Sequence, residues 1–548
     1  MIQKPFPGEH ILLYRGDTID FSLSFDKEVR GKAFLRTNLE NASIAREEII
    51  SSVLSARPRS GQDWHDIPLE KKDNFSFSIR IALLEEGHFE AKCFYIEDEE
   101  REPHWVDGPN VHINVEPSGY CCANSIYCAF VRQFGINKNF AFSRPIPKLE
   151  ADEIAELDRM HYTVIPPSGT FRDLKKCLPH IIDDLNCRII HLLPINPTPT
   201  VFARMGRYGS PYASLDFTSI DPSLAEFDRK ATPLDQFLEL VDAIHRKNAK
   251  IFIDLAINHT GWASKIHETH PEWLIREEDG SIHSPGAWGV VWGDLTELNH
   301  NKPDLWDYLA EVFLTWCARG VDGFRCDAGY MIPEKAWEYI IAKVRVEYPE
   351  TIFLLEGLGG APEITRRLLD NANMNWAYSE LFQNYTREQI EGYIPYAHKV
   401  SLGDGIMVHY AETHDNNRLA ATSEIYAKMR TALSALASNN GAFGFTNGVE
   451  WFAKEKIDVH ESNALNWGAK VNQIAHISRL NSILISHPAF YNGSKIKIID
   501  SGHQEVVAFT RSDSNSKSPL LILINLNCEK ESVASWLKNE TPHQKDSL

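Results

Sequence analysis

Hydrophobic and polar residues alternate with a period of two from Met1 to about Pro117. The clearest run, FSFSIRIAL, extends from Phe75 to Leu83, and every second residue in it is a large apolar one. A strand with one buried face shows this alternation. Turn-rich segments such as GDT and VDGPN separate other short β-like runs. The pattern predicts an N-terminal β-sandwich over residues 1–118.

Between residues 119 and 488 short apolar runs alternate with helical patterns. The predicted strands are Ile126–Val131, Arg188–Leu193, Lys250–Ala256, Val321–Cys326, Ile352–Leu355, Met374–Tyr378, Ile406–Ala411 and Ala442–Phe445. Eight strands alternating with helices predict an α/β fold, a (β/α)8 TIM barrel, with an open doubly wound sheet as the alternative. After residue 488 the strand-like runs Val506–Thr510 and Leu520–Leu526 predict a short C-terminal β domain, which ends in a solvated tail, KNETPHQKDSL.

Two of the intervening helices carry end signals. A Thr-Pro-Leu-Asp sequence at Thr232 combines a capping residue, a first-turn proline and an acid three residues later. The apolar stripe predicted to follow it is Phe237, Leu238, Val241 and Ile244. A second stripe extends from Leu305 to Trp316, and Gly320 stands at the expected C′ position.

Composition narrows the possible partners. Of the 548 residues, 43% are hydrophobic and 24% are charged, which is typical of a folded globular protein. The net charge of 56 − 75 = −19 repels phosphate backbones and anionic lipids. We therefore expect neither a nucleic acid nor a membrane as a partner, whereas a neutral ligand such as a sugar remains compatible. The sequence makes no prediction of oligomeric state.

The cysteines and the N-terminus predict a cytoplasmic protein. The nine cysteines include the adjacent Cys121 and Cys122, and no C-x-x-C pair occurs. A disulfide framework or a zinc site is therefore not expected, and a reducing compartment is the simpler interpretation. The first residues show no signal-peptide pattern, and no apolar run is long enough to cross a bilayer.

Charged and polar residues stand at the carboxyl ends of four predicted strands, where a parallel barrel has its active site. The acids there are Asp254, Asp327, Glu356 and Asp415, and they are accompanied by Arg325, His259 and His414. Any one of them has a structural explanation, such as a loop cap, a satisfied histidine or a buried ion pair. Their combination on one rim predicts an active site, because unpaired buried carboxylates are costly.

The segments DLAINH, GFRCD, LLEG and ETHDN resemble, in this order, the four signature regions of the α-amylase superfamily of retaining glycoside hydrolases and transglycosylases. Upstream, GTFRDLKKCLPHI, CRIIHLLPINP and SPYASLDFTSIDP are also similar to family members. The resemblance covers about residues 120–490.

The resemblance implies a role for each residue. Asp327 matches the nucleophile, Glu356 the general acid/base and Asp415 the third carboxylate. The positions that match substrate-binding or supporting residues are Arg325, which keeps the nucleophile ionised, His259 and His414, which bond sugar hydroxyls, the stacking Tyr212 and the barrel aspartate Asp254.

The sequence departs from the family in two places. After Asp327 it reads Ala-Gly-Tyr-Met, where many starch hydrolases have a Lys-His pair on the leaving-group side. Asn258 matches a position that binds structural calcium in many amylases, but the insertion that follows is short. We therefore predict no metal and no cofactor; structural Ca²⁺ is not supported.

The resemblance implies cleavage of α-1,4-glucosidic bonds through a covalent glycosyl-aspartate intermediate. The expected enzyme is an α-amylase-type hydrolase or a 4-α-glucanotransferase, acting on glycogen or malto-oligosaccharides. One alternative is a maltosyltransferase with a phosphorylated maltose donor, which would need a cationic phosphate pocket. A less favoured alternative is a non-catalytic glucan-binding or interaction relative, although such relatives typically lose the catalytic carboxylates.

Overall fold

A computed structural model describes residues 1–55, 57–99, 101–144, 148–201, 203–287, 289–491, 493–515 and 517–537. The whole predicted tail, residues 538–548, lies outside the described residues.

Eight parallel strands close into a barrel, as the alternation of strands and helices predicts. From first to eighth they are Ser125–Ala129, Ile189–Leu192, Lys250–Leu255, Gly323–Cys326, Ile352–Leu355, Trp376–Tyr378, Ile406–Tyr410 and Phe443–Thr446. The first strand pairs with the eighth, so the alternative of an open sheet is wrong. Apart from the half-buried Lys250, every residue of these strands is buried. Helices outside and side chains inside cover both faces, which is why most residues of the strands are apolar.

The α-helices that accompany the barrel strands are Lys148–Arg159, Phe171–Leu178, Pro233–His245, Lys265–Thr269, Pro303–Ala318, Glu334–Glu347, Pro362–Asp370, Arg387–Ser401, Leu419–Thr422, Glu424–Ala437 and Ile474–Ser486. Thr232 forms the predicted capping box with Asp235. Gly320 follows the helix Pro303–Ala318 with φ +90°, as predicted. The prediction for Leu238 is wrong. It is 37% exposed, because Phe237, Leu240, Val241 and Ile244 form the buried face of its helix.

Two sheets form the N-terminal sandwich around a common apolar core. One has the order Ile2–Lys4, Thr18–Ser24, Ser76–Ala82, Glu70–Lys71. The other has the order His10–Tyr14, Val111–Glu116, Gly87–Glu97, Gly31–Thr37, His65–Pro68, and His104–Trp105 pairs with Gly87–Glu97. Phe75 precedes the observed strand, Ser76–Ala82, and is 44% exposed, so its assignment to the buried face is wrong.

A helix that the sequence pattern did not predict, Ala42–Leu54, joins the sandwich to the barrel. Ile50 and Val53 on this helix pack against the barrel core. Its weak periodicity explains the omission, because only Ala42 is fully buried. The helix is therefore stabilised by contacts on two sides rather than by one apolar stripe.

The C-terminal β unit is an antiparallel sheet of Lys495–Ile499, Val506–Ser512 and Leu520–Asn525. Val507 and Phe509 pack against Ile394 and Leu433 of two barrel helices. The loop after the third barrel strand contains two pairs of short strands, His259–Gly261 with Leu295–Glu297, and Gly286–Ala287 with Val290–Val291. None of the described helices combines the length and the apolar composition that crossing a membrane requires.

Candidate active site

Asp327 and Glu356, the predicted nucleophile and acid/base, directly follow the last residues of two adjacent strands. Cys326 and Leu355, the residues just before them, are paired in the register of the fourth and fifth strands. Neighbouring strands lie about 4.7–4.9 Å apart. A retaining glycosidase needs its two carboxyl groups about 5–5.5 Å apart, and the register is compatible with that separation.

Arg325 connects three carboxylates from the floor of the site. Its Nη1 lies 2.8 Å from Asp254 Oδ2 and 2.5 Å from Asp327 Oδ1, and its Nη2 lies 4.0 Å from Glu356 Oε2. The arginine and Asp254 are buried, so water does not screen these interactions. The guanidinium therefore forms ion pairs with Asp254 and Asp327 at once.

A backbone hydrogen bond holds Glu356 in place. The backbone N–H of Ala328 donates a 2.8 Å hydrogen bond to Glu356 Oε2. Ala328 itself adopts a left-handed conformation, with φ +46°. Burial raises the pKa of Glu356 to about 7, while Arg325 opposes the rise. A carboxyl group with that pKa can both donate and accept a proton near neutral pH.

Tyr212 links the loop after the second strand to the loop after the seventh strand. Its hydroxyl lies 3.1 Å from Asp254 Oδ2 and 2.7 Å from His414 Nε2. The same nitrogen lies 3.3 Å from Asp415 Oδ2, and the Asp415 side chain is 67% exposed. Asp415 is therefore free to reach a ligand, whereas Tyr212 and His414 are fixed beneath it.

His259 approaches the predicted nucleophile from the third-strand loop. Its Nε2 lies 4.0 Å from Asp327 Oδ2, and the residue is 1% exposed. Burial lowers the pKa of His259 and that of His414. Both rings are therefore neutral at pH 7 and can exchange hydrogen bonds with uncharged hydroxyl groups. All eight residues predicted for the site lie on this one rim or directly beneath it.

The sequence analysis missed two buried residues next to this group. The ring of Tyr378, at the end of the sixth strand, lies 5.5 Å from the Arg325 guanidinium carbon. His191, on the second strand, has its Nε2 3.9 Å from Asp254 Oδ2. A histidine inside the apolar run RIIHLLP and a tyrosine at a strand end were the available signals.

Among the described residues, the one cluster of three side chains that could hold a metal ion lies outside this site. Asn258 Nδ2 donates to Met331 Sδ at 3.8 Å. Far from the rim, His10, His112 and Asp370 offer ligand atoms within 4.8 Å of one another, between the sandwich and the barrel. The two imidazole planes are parallel to within 2°, so their lone pairs do not converge on one point. His10 instead contacts Asp404 at 2.7 Å.

The barrel and this rim define an α-amylase type of catalytic domain, and comparison with known families agrees. Residues 166–353 match the family described as "Alpha amylase, catalytic domain". The chain belongs to the α-amylase superfamily.

Among curated relatives, an alpha-1,4-glucan:maltose-1-phosphate maltosyltransferase of Cereibacter sphaeroides is 27% identical over 391 residues. The match covers 66% of this chain and 56% of that protein, so the chain spans little more than half of the relative's length.

Solved structures share the fold. An alpha-amylase from Lactobacillus plantarum has a TM-score of 0.59 at 22% identity, with 75% of this chain and 90% of that chain covered. A cyclomaltodextrinase has a TM-score of 0.58 at 15% identity, with 94% and 89% covered. The second match includes β-structure outside the barrel.

Proposed function

We propose that the protein cleaves α-1,4-glucosidic bonds with retention of configuration and passes the glycosyl group to water or to another sugar. One observation carries the proposal. Asp327 and Glu356 follow paired residues of two adjacent strands, and both carboxyl groups lie within 4.0 Å of the Arg325 guanidinium. In the proposed reaction, Asp327 is the attacking carboxylate and Glu356 the proton donor on either side of one glycosidic bond.

The proposed reaction has two halves. First, the Glu356 carboxyl group gives its proton to the glycosidic oxygen while Asp327 attacks the anomeric carbon, and the glycosidic bond breaks. Then the Glu356 carboxylate takes a proton from water or a sugar hydroxyl, whose oxygen attacks the anomeric carbon and releases Asp327. Hydrogen bonds that sugar hydroxyls donate to the Asp415 carboxylate or exchange with the His414 ring strengthen as charge develops on the sugar, and this favours the transition state.

A second candidate is maltosyl transfer from maltose 1-phosphate to an α-1,4-glucan. Its support is the name of the curated relatives, which favours it over simple hydrolysis or 4-α-glucan transfer. It shares the same two carboxyl groups and differs in the leaving group. A phosphate leaving group calls for nearby cations, and Arg325, the arginine at the site floor, is already shared by Asp254 and Asp327.

Product analysis separates the candidates. The protein is incubated with maltopentaose alone, and in parallel with maltose 1-phosphate plus maltotetraose. Products both longer and shorter than maltopentaose indicate 4-α-glucan transfer, whereas only shorter products with new reducing ends indicate hydrolysis. Chain growth that requires maltose 1-phosphate and releases phosphate indicates the second candidate. No change in either mixture contradicts the proposed function.

We further propose that the protein works in a reducing compartment, in glycogen or malto-oligosaccharide metabolism. All nine cysteines are free in the structure, and six of them are buried. A cytoplasmic location agrees with this cysteine usage. Assays in the presence of a thiol reductant should therefore give full activity, and oxidative disulfide formation should not be needed for folding.

A further inference from the structure

The loop that carries Asp415, residues 411–418, is closed at its base by an ion pair. Glu412 and Arg418 stand three residues before and three residues after Asp415. Arg418 Nη1 donates a 2.8 Å hydrogen bond to Glu412 Oε1, and the backbone N–H of Leu419 donates a 2.7 Å hydrogen bond to Glu412 Oε2. Both carboxylate oxygens therefore hold the two ends of the loop together, and Asp415 lies midway between them.

This ion pair is buried, although the residue between its partners is not. The side chains of Glu412 and Arg418 are 2% and 1% exposed, whereas the Asp415 side chain is 67% exposed. Desolvation offsets much of the attraction between two buried charges, so such a pair adds little net stability over an apolar one. Its hydrogen-bonded charges instead fix the separation and orientation of the two loop ends.

Arg418 also attaches the loop to the neighbouring loop, which follows the eighth strand. Its Nη1 donates to the carbonyl of Asn447 at 2.9 Å, and its Nε donates to the carbonyl of Glu455 at 3.0 Å. Asn447 is itself fixed, because its side-chain oxygen accepts a 2.9 Å hydrogen bond from the backbone N–H of Phe130, directly after the first strand. One guanidinium thus anchors the Asp415 loop to the part of the rim where the barrel closes.

A second set of hydrogen bonds lies inside the loop. Thr413 Oγ1 donates to Asn416 Oδ1 at 2.9 Å and accepts from the backbone N–H of Asp415 at 3.3 Å. The backbone N–H of Thr413 also donates to Asn416 Oδ1, at 3.1 Å. These contacts are local, so they shape the turn, whereas the contacts of Arg418 fix the turn to the barrel.

We propose that Glu412 and Arg418 are positioning residues that hold the Asp415 carboxylate where it bonds the sugar in the transition state. The inference rests on the proposed function, in which sugar hydroxyls donate hydrogen bonds to Asp415. Neither positioning side chain is exposed enough to bind the sugar itself. Misplacing a group of the site by about 1 Å can cost about a hundredfold in rate. The pair therefore acts on turnover through Asp415.

A double-mutant cycle tests this action through Asp415. The kcat and KM for fluoride release from α-maltosyl fluoride are measured for the wild type, Arg418→Met, Asp415→Asn and the double variant, because this reactive substrate keeps slow variants measurable. Arg418→Met should lower kcat about a hundredfold and change KM less than about threefold, since the lost interaction belongs to the transition state. In the Asp415→Asn background, the same substitution should cost less than about threefold, because the carboxylate that it positions is absent.

Two further variants separate positioning from folding. Glu412→Gln keeps the shape of the side chain, so it tests the pair if Arg418→Met does not fold, and it should lower kcat about tenfold. Arg418→Lys keeps the charge beside Glu412 and should recover about tenfold of the rate lost in Arg418→Met.

The matched control is Arg511→Met. Arg511 is 1% exposed and donates to the carbonyls of Ala489 and Leu436 beside the C-terminal sheet, so its loss should lower stability without lowering kcat. An equal fall in kcat on Arg418→Met with and without the Asp415 carboxylate overturns the positioning role alone, and so does an unchanged kcat in both Arg418→Met and Glu412→Gln. If the wild type releases no fluoride, the proposed function fails and the positioning role with it.

Discussion

Arg325 Nη1 and Asp254 Oδ2 form a 2.8 Å ion pair in which neither side chain is more than 2% exposed. Removing one partner of a buried pair leaves an uncompensated charge, which costs about 3–5 kcal/mol. We therefore expect Arg325→Met to lower the free energy of unfolding by that amount in urea denaturation. The double variant Arg325→Met/Asp254→Asn should recover part of the loss. A loss below about 1 kcal/mol in the single variant would show that the pair is not important for stability.

The pKa of Glu356 predicts the alkaline side of the pH profile. Burial raises this pKa from 4.5 to about 7, and the proposed acid works only when it is protonated. The kcat/KM for maltopentaose should therefore fall above pH 7, by about tenfold for each pH unit. As a control, α-maltosyl fluoride needs no proton to release its leaving group, so its glycosylation rate should lack this fall. A profile that is flat from pH 5 to 9 for both substrates would contradict the assignment of Glu356.

Removing the hydroxyl group of Tyr212 should reduce activity more than it reduces stability. Tyr212→Phe keeps the ring but removes the hydrogen bonds to Asp254 and His414. Leaving buried polar partners unsatisfied costs about 1–3 kcal/mol, so we expect kcat/KM to fall about tenfold or more. Steady-state kinetics and thermal unfolding are compared with Tyr348→Phe, which should match the wild type, because Tyr348 precedes the amino end of the fifth strand, at the opposite end of the barrel. Equal activity in the two variants would remove Tyr212 from the site.

The barrel was predictable because its strands are short, apolar and separated by helices with recognisable ends. The predicted strand Ile352–Leu355 matches the observed one in both bounds. Local chemistry decides such elements, since each strand is covered on both faces. The helix Ala42–Leu54 was not predictable in this way, because partners distant in sequence stabilise it.

The capping box at Thr232 is a local feature that the sequence predicts and the structure contains. Because the cap satisfies backbone N–H groups at a helix end, Thr232→Ala should lower the free energy of unfolding by about 1 kcal/mol. Activity should not change, because Thr232 is exposed and its hydroxyl group bonds Asp235 of the same helix. Chemical denaturation and maltopentaose turnover are measured on the same sample. A change in turnover without a change in stability would be inconsistent with a purely structural cap.

The candidate site was predictable where a polar residue interrupts an apolar strand or follows its end. Asp327 and Glu356 are of this kind. Tyr378 and His191 were missed because aromatic and histidine side chains inside strands are compatible with ordinary core packing. Their position near Arg325 and Asp254 depends on how the barrel closes, which no local pattern encodes.

The central claim is that Asp327 forms a covalent bond to the sugar while Glu356 transfers the proton. Glu356→Gln treated with α-maltosyl fluoride tests it most directly, because fluoride departs without an acid and the missing base slows release of the intermediate. Mass spectrometry of the intact protein and of its peptides should show one maltosyl group, attached to Asp327. The double variant Glu356→Gln/Asp327→Asn should remain unlabelled. Attachment to another residue, or fluoride release without any label on Asp327 at the earliest times, would contradict the account.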